Sequence, residues 1–352
     1  MAAYTTIDDP SAYFKVQLYT GNGSTNAITF DDTDTNMQPD FVWLKNRNSS
    51  AHDHFLFDSV NGVQQFLSSN DTGALASADS TYLTAFNSDG FTLGSSDGMN
   101  ENTITFVSWN WKAGTTSGIT TNGSTTITPS SYSFSSTSGF SILKYTGNST
   151  AGAKLAHGLG GCDAFWIKRT AAAGDDWRIY SGALGGTKNI KLNSNDAAAT
   201  GTNIFNDTDA DSVNITLGSH NSANASDAMI CYAFKSIQGF SKFGTYIGNN
   251  NSDGAYVYLG FRPAWLMIRR TDASSSDWVI MDNKRLGYNP DFRINYANLA
   301  NNEEAYPELD FLSNGFKLRG AGALTNDPNT YFYMAFAEAP FVNSNGVPCN
   351  AR

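Results

Sequence analysis

The apolar positions of this chain fall in short runs separated by stretches rich in Asn, Asp, Gly and Ser. In the run AWLMIRR, which begins at Ala264, apolar side chains would occupy both faces of an extended strand until its basic end. That pattern is typical of a strand covered on both sides, as in a β-sandwich. The residues between the runs are those that tight turns require. The pattern therefore predicts an all-β chain of antiparallel strands.

The same series of strands recurs three times along the chain. The phrase FSILKYTGNST has two relatives elsewhere, which begin at Phe14 and Phe240. In each copy the phrase is followed by an apolar run that ends in basic residues, and the copies align at Lys45, Lys168 and Arg269. A second aromatic run, a turn with its strand, and a closing aromatic strand then follow in the same order. This constant order indicates an internal repeat rather than chance similarity between loops.

The repeat predicts three tandem antiparallel β-sandwich domains, with a jelly-roll of the concanavalin-like form as the preferred arrangement. The spacing exceeds that of solenoid repeats, so separate domains are expected along the chain. Almost no linker separates the second copy from the third, so these two are expected to be joined rigidly. The predicted units are an N-terminal docking segment at 1–13, sandwich one at 14–113, a Ser/Thr/Gly-rich connector at 114–139, sandwich two at 140–238, and sandwich three at 239–352 with a Tyr/Asn-rich insertion and a C-terminal tail.

The connector 114–139 can be interpreted in two ways. It can be a flexible linker, or it can form an extra hairpin in which GITT and STTITPS flank an Asn-Gly turn. The segment also contains the apolar residues Ile119, Ile127, Tyr132 and Phe134. A free linker would leave these side chains in water, so the hairpin is favoured.

Composition agrees with the strand pattern and narrows the possible functions. Charged residues make up 15% of the chain, below the ~25% of ordinary soluble domains. The net charge is -10 and the isoelectric point is near 4.7, so nucleic-acid binding, which needs a basic face, is not expected. The N-terminus has neither the basic region nor the apolar run of a signal peptide. No apolar stretch approaches the ~20 residues of a membrane span, so we expect synthesis in a cytosol and no membrane insertion.

Disulfide and metal sites find little support in the sequence. Cys162 and Cys231 fall in one copy and could meet, but a sparse and odd set of cysteines is more typical of unpaired thiols. No cofactor is expected. Alternating carboxylates can gather around calcium, so a loose calcium site at Asp207, Asp209 and Asp211 stays open beside the alternative of a solvated turn. Neither this cluster nor DDTDTN has the Gly and Glu spacing of an EF-hand.

Basic residues end the same strand in every copy. They could bind an anionic ligand, or they could be strand ends that reach water and pair with an aspartate of the next strand, at Asp53, Asp176 or Asp277. Because the position recurs in all copies, it marks the scaffold, and the second interpretation is favoured. The basic strand-end positions are Lys45, Arg47, Lys168, Arg169, Arg269 and Arg270.

The sequence also lacks the usual signatures of catalysis. It contains no E-x-D-x-x-E run of the kind that sandwich glucanases use, no G-x-S-x-G elbow and no phosphate-binding loop. We therefore expect no enzymatic activity. The insertion RLGYNPDFRINYANLANNEEAYPELD has no counterpart in the other copies, and its part NNEEAYPELD looks loop-like. It combines tyrosine with asparagine as contact surfaces do. Its predicted contact residues are Tyr288, Asn289, Tyr296, Asn301 and Tyr306.

Several phrases of the chain resemble a repeat family of tailed bacteriophages, especially those of marine bacteria. They include YTTIDDPSAYF, QPDFVWLKNR, FNSDGFTLG, GFSILKYTGN, GFSKFGTYIGN and GFRPAWLMIRRTD, and together they cover almost the whole chain. Members of that family are generally labelled tail-fibre or virion structural proteins with concanavalin-like β-sandwich domains. The phrase GGCDAFW departs from the family, in which a Pro-containing stretch usually precedes the strand. The resemblance carries no catalytic residue over to this chain.

The resemblance implies a non-enzymatic virion structural protein, with a tail fibre or adhesin that contacts the host surface as the first expectation. A capsid-decorating or head-fibre protein is the alternative, and a glycan-active enzyme is the third. The expected partners are other virion proteins and a polysaccharide or protein receptor on the host. A homo-oligomer is expected, with a trimer first, although three copies in one chain could instead mimic a threefold partner as a monomer. The expected location is the virion surface, after synthesis in the host cytoplasm.

Overall fold

Extended strands form almost all of the regular structure, which confirms the predicted all-β sandwich fold. The strand ladders are antiparallel, while the concanavalin-like strand order stays a prediction. The computed structural model describes residues 3–31, 35–49, 52–285, 289 and 291–349, without the side chains of residues 291, 292, 307 and 308.

The first copy forms a large and a small sheet that face each other. Its elements are β1 Phe14–Thr20, β2 Asn26–Thr29, β3 Phe41–Asn46, β4 Phe55–Asp58, β5 Gln65–Leu67, β6 Ala76–Ser77, β7 Leu83–Asn87, β8 Gly90–Leu93, α1 Asp97–Asn100 and β9 Thr105–Trp111, after a 3₁₀ turn at Pro10–Ala12. The strand orders are β1-β9-β3-β4-β5-β6 and β2-β8-β7. Val42 and Leu44 of β3 lie in the core between the two sheets. Phe41 and Trp43, which alternate with them, belong to a different core.

The second copy repeats this plan. Its elements are β10 Ser131–Ser135, β11 Phe140–Thr146, β12 Ala153–Ala156, β13 Ala164–Arg169, β14 Arg178–Ser181, β15 Lys188–Lys191, β16 Ala199–Thr200, α2 Thr202–Phe205, β17 Asn214–Leu217, α3 Asn221–Asn224 and β18 Ala228–Phe234. The large sheet has the order β10-β11-β18-β13-β14-β15-β16, and β12 pairs with β17 in the small one. Phe165 and Ile167 of β13 lie in the core of this copy, whereas Trp166 between them belongs to the other core.

The third copy joins its strands into one continuous sheet. Its strands are β19 Ser241–Ile247, β20 Tyr256–Tyr258, β21 Phe261–Arg270, β22 Val279–Asp282, β23 Asp291–Tyr296, β24 Glu304–Leu312, β25 Gly315–Leu318 and β26 Thr330–Pro340. The order is β19-β26-β21-β22-β23-β24-β25-β20. The long strand β24 joins the strands that form separate large and small sheets in the other copies, because it pairs with β23 on one side and with β25 on the other. The part NNEEAYPELD, which looks loop-like in sequence, therefore supplies most of β24.

The three copies share one aromatic core, so the expectation of separate domains along the chain is wrong. This core takes side chains from all three copies, including Trp43, Trp166 and Trp265, each of which is fully buried. Ring contacts join every pair of copies: Trp43 with Trp166 at 5.7 Å between ring centroids, Trp111 with Trp265 at 5.5 Å, and Phe234 with Phe336 at 6.1 Å. The second apolar face of the central strands is thus covered by the other copies.

The Gly-Asn turn near the start of each copy is held by a buried asparagine amide. In copy two, the Asn224 side chain accepts a 2.9 Å hydrogen bond from the backbone nitrogen of Asn148. Equivalent bonds recur in the other copies through the side chains of Asn100 and Asn326. A Cβ atom at Gly147 would lie 2.1 Å from the backbone oxygen of Ala225. Glycine is therefore required here by the close approach of another backbone segment.

The N-terminal segment packs against the third copy, and its docking role stays a prediction. Thr5 and Ile7 are buried. The Thr5 hydroxyl donates a 2.8 Å hydrogen bond to the carbonyl of Gln238, and the Tyr4 hydroxyl donates a 2.9 Å hydrogen bond to the carbonyl of Gly260. The segment thereby links the start of copy one to the joint between copies two and three.

The connector 114–139 does not contain the hairpin expected around its Asn-Gly turn. Its strand β10 instead pairs with β11 at one edge of the large sheet of copy two. Ile127 makes a parallel bridge to Leu155 and covers the edge of β12. The apolar residues that argue against a free linker pack on the core of this copy: Ile127 within it, and Ile119, Tyr132 and Phe134 against it.

Candidate contact surface

The first basic strand-end residue of each copy is buried between copies and does not present a surface for anions. Lys45, Lys168 and Arg269 are fully buried. Each donates hydrogen bonds to backbone carbonyls of its own copy and of a neighbouring copy. The bonds between copies are Lys45 Nζ to Ala300 O at 3.0 Å, Lys168 Nζ to Thr72 O at 3.0 Å, and Arg269 Nη2 to Asp196 O at 2.5 Å. These three side chains therefore do not reach water, and the favoured interpretation is wrong for them.

Burial changes the proton affinity of these three side chains. Loss of hydration lowers the pKa of Lys45 and of Lys168 to about 8, and it lowers the pKa of Arg269 to about 10. A buried cation is costly unless its protons find acceptors. The carbonyls of two copies supply these acceptors, so the three residues hold the copies together.

The second basic residue at each strand end is engaged in ion pairs. The pairs are Arg47 with Glu303, Arg169 with Asp175 and Asp227, and Arg270 with Asp327. Arg47 binds Glu303 through two hydrogen bonds of 2.8 and 3.2 Å and so connects copy one to copy three. Glu303 is 6% exposed and also lies 3.5 Å from Arg285 Nη1. This glutamate of the insertion is therefore part of an internal ionic network.

A closed ring of side-chain hydrogen bonds connects the three copies. His54, Trp177 and Trp278 occupy the same position, immediately before β4, β14 and β22. Each reaches a backbone carbonyl of another copy: His54 Nε2 to Tyr296 at 2.9 Å, Trp177 Nε1 to Ser68 at 2.8 Å, and Trp278 Nε1 to Lys191 at 2.8 Å. Copy one thus contacts copy three, copy three contacts copy two, and copy two contacts copy one. The result is a pseudo-threefold arrangement within a single chain.

A second set of contacts follows the same direction around the ring but has only two hydrogen bonds in the described chain. The Tyr232 hydroxyl donates to Asp58 at 2.7 Å, and Trp109 Nε1 donates to Asp282 at 3.0 Å. Burial raises the pKa of Asp58. In the third copy Met334 occupies the position of Tyr232 and Trp109. The corresponding acceptor position is the buried Ser181, whose hydroxyl has no partner among the described residues.

The predicted Tyr/Asn contact residues do not form one exposed surface. Tyr296 is buried, and its hydroxyl donates to Glu304 at 3.0 Å. Asn289 is exposed, but its amide forms two hydrogen bonds to the backbone of Phe311. Asn301 and Tyr306 are exposed, and Tyr288 lies outside the described residues. The prediction of an exposed Tyr296 is therefore wrong: the residue is buried, and its backbone carbonyl meets His54 of copy one.

Two of the three proposed calcium ligands, Asp209 and Asp211, bind protein atoms. Asp209 accepts hydrogen bonds from the Tyr180 hydroxyl at 3.0 Å and from the Gly186 nitrogen at 2.7 Å. Asp211 forms an ion pair with Lys154 at 3.1 Å. Within the described ranges, no group of three or more His, Cys, Asp or Glu side chains is placed to hold a metal ion. The three cysteines are free thiols.

One cavity lies at the junction of copy one with the connector. It measures about 530 Å³ and is lined by Asp40, Ser59, Lys112 and Ser133 among others. The carboxylate of Asp40 accepts hydrogen bonds from the Ser59 and Ser133 hydroxyls and from the backbone nitrogen of Ala113. Its oxygens are therefore used to join the connector to copy one.

A pair of exposed tyrosines marks copy three. Tyr256 and Tyr258 of β20 are 46% and 48% exposed, and Val257 between them is buried. The strand partners of β20 show which residues stand at these positions in the other copies: Ala27 and Thr29 in copy one, and Lys154 and Ala156 in copy two. The pair is thus absent from the scaffold that the copies share, and sequence reasoning overlooked it.

Hydrogen bonds fix both tyrosine rings. The Tyr256 hydroxyl donates to Asn314 Oδ1 at 2.6 Å, and the Tyr258 hydroxyl lies 3.1 Å from the hydroxyl of Tyr4. The ammonium of Lys242 lies 5.5 Å from the centre of the Tyr258 ring. Burial raises the pKa of Tyr4 to about 12, so this phenol is neutral near pH 7.

The fold and this surface define an all-β protein whose repeats are fused around one core. The chain belongs to the family described as Domain of unknown function (DUF7483), whose model matches residues 9–340 and so spans all three copies. No curated protein matches the chain significantly. No solved structure matches it significantly either. Among the described residues, no helix is long and apolar enough to cross a membrane.

Proposed function

We propose that this chain is a non-enzymatic structural protein on the surface of a bacteriophage particle, and that it acts as a tail-fibre or adhesin component that contacts the host. The observation that supports this proposal is a difference between copy three and the other two copies. Positions that all copies share bind the copies to one another, whereas the exposed pair Tyr256 and Tyr258 occurs in copy three alone. A rigid support with one altered outer surface suits a protein that presents a contact site. The phage assignment itself rests on the resemblance of the repeated phrases.

We further propose that the chain is a monomer whose internal ring takes the place of the homotrimer expected first. The hydrogen bonds from His54, Trp177 and Trp278 already close a cycle of three copies. Because this cycle closes within one chain, these three contacts are not available to a second chain. Sedimentation equilibrium is expected to give the mass of one chain, 37.9 kDa. A mass three times as large would favour the homotrimer.

The adhesin proposal is tested with cells of the bacterial host of the encoding phage. The purified, fluorescently labelled chain is expected to bind these cells saturably at micromolar concentration and to compete with infection. A variant that carries Tyr256→Ala and Tyr258→Ala should bind less, whereas His220→Gln, a substitution in copy two, should bind as the unsubstituted chain does. Absence of saturable binding by the unsubstituted chain would overturn the adhesin role.

A capsid-decorating or head-fibre role is the second candidate, because the pseudo-threefold ring matches the local symmetry of a threefold lattice position. Electron cryo-microscopy of the intact particle distinguishes the two. The adhesin role predicts density at the tail, and the decorating role predicts density on the capsid in copies tied to lattice symmetry.

A further inference from the structure

A cavity of about 340 Å³ lies beside the tyrosine pair, at the joint between copies two and three. Three separate parts of the chain form its wall: the N-terminal segment, the joint itself, and the end of β20. The lining includes Tyr4, Ser236, Gln238, Lys242 and Tyr258. The cavity thus continues the exposed aromatic surface of copy three inward, where hydroxyl, amide and ammonium groups converge.

We propose that this cavity and the rings of Tyr256 and Tyr258 form a binding site for a saccharide chain. The proposal rests on the adhesin function above and names the class of its ligand. We refer to Tyr4, Gln238, Lys242, Tyr256 and Tyr258 together as the tyrosine site.

The chemistry of the tyrosine site matches that of a sugar. A pyranose ring has an apolar face of C–H groups, which packs on an aromatic ring, and a rim of hydroxyls that donate and accept hydrogen bonds. Tyrosine offers both an apolar ring and a polar end. Small-ligand sites combine an apolar wall with a few fixed polar groups in cavities of about 300–1,000 Å³, and this cavity of about 340 Å³ lies in that range.

The site is preorganised, because its rings are held in place without a ligand. Gly260 has φ +84°, and a Cβ atom there would lie 2.7 Å from the Tyr4 hydroxyl. Glycine at this position lets Tyr4 approach the end of β20, where its hydroxyl bonds to the Gly260 carbonyl. Both tyrosines of β20 are in turn fixed through their hydroxyls. Rigid rings lower the ordering cost of binding.

Lys242 supplies the cationic group of the site. Its ammonium donates a 2.7 Å hydrogen bond to the carbonyl of Tyr258. No ion pair joins Lys242 to a carboxylate in the part of the chain that the structure describes. An ammonium has three donors, and those not used by the carbonyl can bind a hydroxyl or a carboxylate of the sugar. Neutral and uronic saccharides therefore share the recognition chemistry and differ at this residue.

The test uses the full chain and two polysaccharide probes, neutral dextran and the uronic polymer alginate, in affinity gel electrophoresis. At least one probe is expected to retard the unsubstituted chain. Tyr256→Ala with Tyr258→Ala should weaken the retardation at least tenfold. Lys242→Met should weaken alginate binding more than dextran binding if the ligand is uronic. Tyr306→Ala is the matched control, because Tyr306 is an exposed tyrosine of the same copy outside the site.

The outcomes separate this inference from the adhesin function. If the tyrosine double variant binds the probes as the unsubstituted chain does, or if Tyr306→Ala alone loses binding, the tyrosine site is not the saccharide site. If host-cell binding survives periodate treatment of the cells but not protease treatment, the adhesin function stands and the saccharide ligand is wrong. If periodate treatment of the cells abolishes binding and the tyrosine double variant also fails to bind, both the adhesin function and the saccharide ligand are supported. Thermal unfolding of each variant confirms that the exposed substitutions leave the fold intact.

Discussion

Trp177 and Ser68 lie in different copies of the repeat, and the indole nitrogen of Trp177 donates a 2.8 Å hydrogen bond to the backbone carbonyl of Ser68. Both residues are buried. The bond is one of three related bonds that close the ring of copies. The contact between copies therefore depends on directed hydrogen bonds as well as on apolar packing.

Trp177→Phe is expected to destabilise the chain mainly by leaving the Ser68 carbonyl buried without its donor, which costs about 1–3 kcal/mol. Trp166→Phe is the matched control, because the indole nitrogen of Trp166 is buried without a partner among the described residues. Urea unfolding of both variants measures the difference in the free energy of unfolding. Equal losses in the two variants would show that the hydrogen bond to Ser68 contributes nothing beyond ring packing.

In copy one, His54 makes the hydrogen bond that is equivalent to the bond from Trp177 to Ser68. This histidine should make the chain less stable at acidic pH. Trp43 Nε1 donates to His54 Nδ1 at 2.8 Å, so Nε2 carries the proton and donates to the Tyr296 carbonyl. Burial, and then the charge of Lys45, holds the pKa of His54 well below its usual range. The folded chain thus keeps His54 neutral at pH values where the unfolded chain binds a proton. Stability from this group is present above the unfolded pKa of about 6.5 and is lost as pH falls below it.

The expected loss from His54 is at most about 1.4 kcal/mol per pH unit, because one proton is involved. His54→Gln should reduce the fall in unfolding free energy between pH 6.5 and 5. His52→Gln, at a partly exposed histidine of the same copy, serves as control and should keep the slope of the unsubstituted chain. Urea titrations at several pH values measure these slopes. An unchanged slope in His54→Gln would contradict the assignment.

The strands and their repetition were predictable because they depend on local pattern. Runs such as AFWIKR and AWLMIRR became β13 and the C-terminal part of β21. The same runs already signalled that both strand faces are buried. The sandwich that was expected to cover both faces covers only one of them, and on the other face Trp166 packs against Trp43 of copy one. Packing between distant copies is set by tertiary geometry, which no local period encodes.

The contact residues were harder to predict for a related reason. The insertion was predicted to be a contact surface because it is long and rich in tyrosine, but its Tyr296 is buried at a junction between copies. The segment AYVYLG carried a better signal, since Tyr256 and Tyr258 alternate with the buried Val257 in the manner of a half-exposed strand. Comparison of the copies at that strand would have shown that the pair is unique to copy three.

Gly147→Ala tests the close backbone approach in the opening turn of copy two. The added Cβ would lie 2.1 Å from the Ala225 oxygen, so one backbone segment must move. Overpacking of this kind costs about 1–3 kcal/mol. Gly123→Ala is the control, because a Cβ there meets nothing within 4 Å. Thermal unfolding should show a lower midpoint for Gly147→Ala alone, and a shift of equal size in both variants would refute the steric explanation.

Lys168 should make the chain more stable as pH rises from about 8 to 10. Burial lowers its pKa to about 8 in the folded chain, whereas the unfolded lysine keeps its proton up to about 10.4. The unfolded state therefore binds more protons in this window, and stability rises with pH by at most about 1.4 kcal/mol per unit. Lys168→Met should reduce this rise, and Lys188→Met, at a lysine bound to the Thr200 hydroxyl, should not. Lys45 contributes a rise of the same kind, so the prediction is contradicted if the rise in Lys168→Met is as steep as in the unsubstituted chain.

Fusion of the copies around one core predicts that they unfold together. Three separate domains would give distinct calorimetric transitions, whereas a shared core ties the stability of each copy to the others. We expect one transition whose calorimetric and van't Hoff enthalpies agree. Trp265→Ala should lower the midpoint of that whole transition, because Trp265 contacts the ring of Trp111 in another copy as well as the ring of Phe336 in its own. Tyr306→Ala should leave the midpoint unchanged, and a transition that splits in Trp265→Ala would restore the interpretation of independent domains.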